Sequence, residues 1–202
     1  MNEIIRPGTG VLFMKVGTHA NEDLNDIIRR KSREIDEAGY AMWGYGGNTC
    51  HPSSMVQPFA KSFAAKGAPI HLVMEQMTSR HFAEQLEAAE FSPDNENWKE
   101  IPPEIRVLGS RFALVIEDLQ QVDMTLPLDQ TRVPVGPSTG RIGSKYIKGK
   151  VDKACFEVLD APVPQNDQEP VERKINLVAK LRAPYAVFLR NFRATHVDRT
   201  DE

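Results

Sequence analysis

The sequence predicts an α+β domain, a small curved mixed sheet or partly closed β-barrel with helices packed outside it. Three observations carry this. Strand-like and helix-like apolar patterns alternate from Gly10 to Met77. Extended segments then follow one another without a strong helical period. Glycines and prolines cluster at the joins between segments, where turns are needed.

The elements follow in order. Gly10 to Val16 is a compact apolar run that predicts a first strand. Asn21 suits a helix cap, and Glu22 and Asp23 suit the positive end of the helix that follows. Leu24, Ile27, Ile28 and Ile35 recur at helical spacing to about Asp36, and Gly39 ends the helix. Arg29, Arg30, Lys31 and Arg33 read as its solvated face, balanced by Asp26, Glu34 and Asp36. Tyr40 to Tyr45 is a second strand, and Gly46 to Ser53 is a turn. A second helix is expected from about Ser54 to Lys66, with Val56, Phe59, Ala60 and Phe63 inward and Pro58 near its start.

Pro69 to Met77 alternates as a third strand, and Arg80 to Ala89 reads as a helix or another extended stretch. Ser92 to Pro103 is a loop, and Ile105 to Leu108 and Arg111 to Ile116 are successive strands. Thr131 to Gly149 is mostly loop. Val151 to Leu159 reads as a strand or short helix. The prolines of Ala161 to Pro170 suggest a linker. A domain over residues 1–160 is therefore expected. Residues 161–202 would form a C-terminal extension on that domain or on a partner, its apolar segment interrupted at Pro184.

Bulk properties bound the function. A chain of 202 residues with 41% hydrophobic content holds enough apolar surface for one core. The net charge of −3 argues against strong nonspecific attraction to nucleic acid or anionic membrane, so phosphate contact needs a local basic patch. Two cysteines, Cys50 and Cys155, could pair but exclude a larger disulfide framework, and they fit reduced thiols in a cytoplasmic protein better. No apolar run is long enough to span a bilayer. Cys50, His51, His71, His81 and Cys155 lack the compact spacing of a metal site, and no cofactor motif is present.

The two tryptophans draw attention. Trp43 ends an apolar run at a glycine-rich bend, and Trp98 lies in a polar stretch. An indole in a polar loop needs a cover, and a flat nucleobase is one. Tyr45, Asn48 and His51 lie where they would shape such a pocket. Arg141, Lys145 and Lys148, in a glycine-punctuated segment, are candidate phosphate contacts. Cys50-His51 offers an alternative, a thiol acting on a nucleotide-like substrate. A third alternative is an interaction scaffold or homo-oligomer formed through Ala183 to Phe192.

The segments Val11 to Val16, Met42-Trp43, Ile70 to Met74 with Ser79-Arg80-His81-Phe82, and Trp98-Lys99 before Phe112 to Asp118 resemble the PUA-like superfamily. Within it they resemble YTH and EVE domains over roughly Gly10 to Leu128. The resemblance implies a reader of a modified nucleobase in RNA or DNA rather than a catalyst. It places Trp43 and Trp98 as the walls of an aromatic cage.

Overall fold

A computed structural model describes residues 4–46, 49–81, 86–147, 152–164 and 172–194. The fold is α+β and rich in strands, an open mixed sheet with few helices.

Strand β1 (Gly10–His19) is apolar on both faces because both are covered. Leu12 and Met14 enter one core and Val11 and Phe13 another. Helix α1 (Leu24–Ala38) is capped by Asp23 rather than Asn21; the Asp23 carboxylate accepts from the Asp26 amide at 2.9 Å. Gly39 closes it with φ 86°, donating its N–H to the Ile35 carbonyl. Strand β2 (Ala41–Tyr45) follows. A π-helical turn at Pro52–Val56 leads into α2 (Gln57–Ala65), so the second helix begins with an irregular turn. Strand β3 (Ile70–His81) runs parallel to β1.

Beyond β3 come short strands: β4 (Leu86–Glu87), β5 (Glu90–Ser92) and β6 (Lys99–Glu100). No helix forms over the described part of Arg80 to Ala89. Ile105 to Leu108 is not a strand. It is an irregular segment that buries Ile105, Val107 and Leu108 and makes one bridge, Leu108 to Glu87. The remaining strands are β7 (Phe112–Ile116), β8 (Gln120–Pro127), β9 (Thr131–Arg132), β10 (Lys153–Val158), β11 (Glu172–Arg190) and β12 (Arg193–Ala194). A single helical turn, α3 (Gly143–Tyr146), interrupts the expected loop before β10.

Strand β11 corrects the expected domain division. It spans 19 residues and lies in the middle of the strand order β2-β7-β11-β3-β1-β10-β9. Its first half pairs with β3 and β8, and its second half with β7 and β5. A register shift between Leu181 and Ala186 contains Pro184, where a proline is tolerated because the ladder is already broken. Residues 172–190 are therefore integral to the sheet and not an appendage.

Helices α1 and α2 cover one face, where Leu24, Ile27, Phe59 and Phe63 meet Leu12, Leu72, Leu114 and Ala179. On the opposite face, Leu126, Leu128, Val133 and Ile147 cover β1, β3 and β10. Ile105 and Val107 cover β2, β7 and the end of β11 there.

The basic run of α1 is not simply a solvated face. Lys31 is 3% exposed, and its ammonium donates to Glu34 at 3.0 Å and to the Arg106 carbonyl at 2.6 Å. Glu34 also accepts from the Arg106 amide at 3.0 Å. Arg30 donates to the Arg106 carbonyl and pairs with Glu22, both at 2.6 Å. These bonds fasten α1 to the segment that has no ladder of its own. Backbone groups left without sheet partners there are satisfied by side chains.

Candidate functional site

Sheet register builds an aromatic row. Tyr45 of β2 is paired with Phe112 of β7, and Phe112 with Phe188 of β11. Residues directly opposite share a face. The row lies on the helix-covered side of the sheet, beside the start of α2, because Phe112 and Ala186 both adjoin that core and Gln57 bonds to Ala186. Tyr45 is buried, whereas Phe112 and Phe188 are half-buried. Tyr45 and Phe112 have ring centroids 5.5 Å apart, and Phe112 and Phe188 5.7 Å apart.

His51 completes the patch. Its exposed ring stands edge-on to Phe112 at 5.3 Å and to Phe188 at 5.6 Å. Its Nδ1 lies 3.2 Å from the Ser53 hydroxyl. The Gln57 amide donates to the carbonyls of Pro93 at 2.6 Å and Ala186 at 2.8 Å. That side chain ties the start of α2 to the sheet beside the patch.

Trp98 extends the same face. Lys99 is opposite Phe91, and Phe91 is opposite Leu189, so these three share the other side of the sheet. Alternation then turns Trp98 and Arg190 toward the aromatic row. The Arg190 guanidinium stacks 4.0 Å from the centre of the Trp98 ring and pairs with Glu90 at 3.0 Å. The preceding turn is held by Asp94. Its carboxylate accepts from the Ser92 hydroxyl at 2.8 Å, the amides of Glu96 and Asn97 at 2.9 and 2.8 Å, and the Asn97 side chain at 2.6 Å. These donors, led by the Asn97 amide, hold the carboxyl well below its usual range.

The expected two-tryptophan cage is not assembled. Trp43 is 4% exposed and sits in the core among residues of β1, β3 and the helices. In the strand order, β7, β11 and β5 separate its strand from β6, beside Trp98. Four strand spacings amount to about 19 Å of sheet, too wide for one base. No ring contact joins the two indoles. Trp43 is short of solvent because alternation sends positions 43 and 45 of β2, an edge strand, under the helices. Of the other expected pocket residues, Tyr45, His51 and Trp98 share a face, and Asn48 lies outside the described residues.

The Cys50-His51 pair does not form a nucleophile and its base. The side chains diverge: Cys50 is buried with its sulfur 4.0 Å from that of Cys155, while His51 faces outward. The adjoining Cys50 thiol, followed by burial, pushes the Cys155 thiol well above its ordinary value. The Tyr45 hydroxyl is buried with no hydrogen-bond partner among the described residues, and burial first, then the two cysteines, pushes its ionisation up.

The glycine-punctuated segment approaches this turn. Gly136 packs against the Met55 side chain, so the segment meets the π-helical turn after His51. Tyr146 is pushed up by burial and by Cys50 and Cys155, and is opposed by its hydrogen bond to Ser138 and by Arg141. Arg141 and Lys145 are exposed. Lys148 lies outside the described residues.

Sequence inspection missed Phe112 and Phe188 as site residues. Each reads as core in an apolar strand, and only register makes them neighbours of Tyr45 and His51. Among the described residues, no three His, Cys, Asp or Glu groups are placed to hold a metal ion, and no helix is long and apolar enough to cross a membrane. Comparison of the chain with protein-family models, curated proteins and solved structures gives no match.

Proposed function

We propose that this chain is a PUA-like, cytoplasmic module that binds nucleic acid or a nucleotide and takes a modified nucleobase onto an aromatic patch. The patch is formed by His51, Phe112 and Phe188, with Trp98 and Arg190 beside it. The observation that carries this is the cross-strand row Tyr45–Phe112–Phe188, ending in an exposed imidazole. Half-exposed rings on a sheet offer a stacking surface, and each stacked base contributes about 1–3 kcal/mol. A methyl group on the base adds on the order of 0.8 kcal/mol through burial. Arg141 and Lys145, on the segment that reaches the His51 turn, would contact phosphates and make binding salt-dependent.

The test is a fluorescence-anisotropy titration with labelled short RNA and DNA strands, each with and without methylated adenine or cytosine. Saturable binding with a preference for one modified strand is expected. Replacing exposed His51 with Ala should weaken it about ten-fold without unfolding the protein. Absence of saturable binding to every strand by a folded sample would rule the proposal out.

A further inference from the structure

We propose a second ligand site on the opposite side of the sheet from the aromatic patch, one that takes a small flat ring carrying a single phosphate or carboxylate. A cleft of about 550 Å³ opens there. That size lies within the range of small-molecule sites, about 300–1,000 Å³. Its walls include Tyr40, Phe91, Val115 and Pro184, and Arg182 and Lys99 stand at it.

The polar groups determine the ligand's charge. The Arg182 guanidinium stands over Tyr40, its central carbon 5.2 Å from the ring centre, and donates one N–H to the Gly39 carbonyl at 3.1 Å. Those two contacts hold the guanidinium at the cleft and leave further donors for a ligand. Neither Arg182 nor Lys99 makes an ion pair among the described residues. The acidic lining residue, Asp94, is already engaged by four donors from its own turn, and the Asn97 amide is used on Asp94. The cleft therefore presents two cations against one carboxylate, whose oxygens are turned to donors of its own turn, and an apolar wall. An anion fits the cations, and a small ring fits against the apolar wall that includes Phe91, Val115 and Pro184.

The site is separate from the aromatic patch. Phe91 and Val115 adjoin the core under Ile105 and Val107, whereas Phe112 adjoins the core under the helices. This proposal does not rest on the nucleic-acid reading.

Calorimetry with the four nucleoside monophosphates, the matching nucleosides, benzoate and inorganic phosphate tests it. The phosphate and carboxylate arms separate the two sources of the anion. At least one ring-bearing anion should bind, and its nucleoside or inorganic phosphate alone should bind at least ten-fold more weakly. The exposed substitutions Arg182→Gln and Lys99→Gln should each weaken it about ten-fold, and His51→Ala should leave it unchanged. Four results would each overturn the proposal: no probe binds, the nucleoside binds as well as its monophosphate, Arg182→Gln has no effect, or His51→Ala weakens binding equally.

Discussion

Replacing Glu34 with Gln should destabilise the protein by about 3 kcal/mol near neutral pH. Removing one partner of a buried ion pair costs about 3–5 kcal/mol, because the other charge is left uncompensated. Glu34 is 1% exposed and Lys31 3% exposed, so solvent screens little of the loss. The amide oxygen of Gln still accepts from the Arg106 N–H, which places the effect at the low end of that range. Burial, opposed by Glu34, pushes Lys31 down from 10.5 to about 8. A folded value below the unfolded one means that the unfolded chain binds more protons between those limits. The contribution of Lys31 is thus most favourable above pH 10.5 and is lost as pH falls to about 8. Removing the Glu34 charge lowers the folded value further, so the loss is largest below pH 8 and shrinks toward 10.5. Urea unfolding followed by tryptophan emission at several pH values measures this. A loss under about 1 kcal/mol at neutral pH, or one that stays constant up to high pH, would refute the reasoning.

Other substitutions separate structural from surface roles. Trp43→Ala should cost about 3–5 kcal/mol by emptying part of the core, whereas Trp98→Ala should cost about 1 kcal/mol by losing the Arg190 stack; chemical unfolding compares them. Gly143→Ala should cost about 1–3 kcal/mol in thermal or urea unfolding, since a Cβ there overlaps the Thr131 hydroxyl and lies 2.9 Å from the Leu128 carbonyl oxygen. Cys50 and Cys155 should resist alkylation in the folded protein and react at ordinary thiol rates in urea, as quantified by mass spectrometry; rapid labelling of the native state would contradict their burial.

Much of the architecture was legible because local pattern reports local structure. The apolar run at Val11 to Val16, the 3.6-residue spacing of Leu24, Ile27, Ile28 and Ile35, and the left-handed Gly39 each lie close to the element they specify. The candidate site was less legible. A tryptophan next to a glycine-rich bend looks accessible, yet Trp43 is covered by helices that begin and end elsewhere in the chain. Arg30 and Lys31 carry the composition of a solvated face, yet they are drawn inward by backbone groups at Arg106, more than 70 residues away.

The sequence by itself determined the α+β class, the position of the first strands and helices, and which rings and charges were available. Tertiary structure alone decided that residues 172–190 run through the middle of the sheet. It also decided that Tyr45, Phe112 and Phe188 form one row and that Arg182 and Lys99 converge on one cleft. The physical reason is register. Strand periodicity indicates which residues share a face of one strand, but long-range hydrogen bonding fixes which strand lies beside it and at what offset.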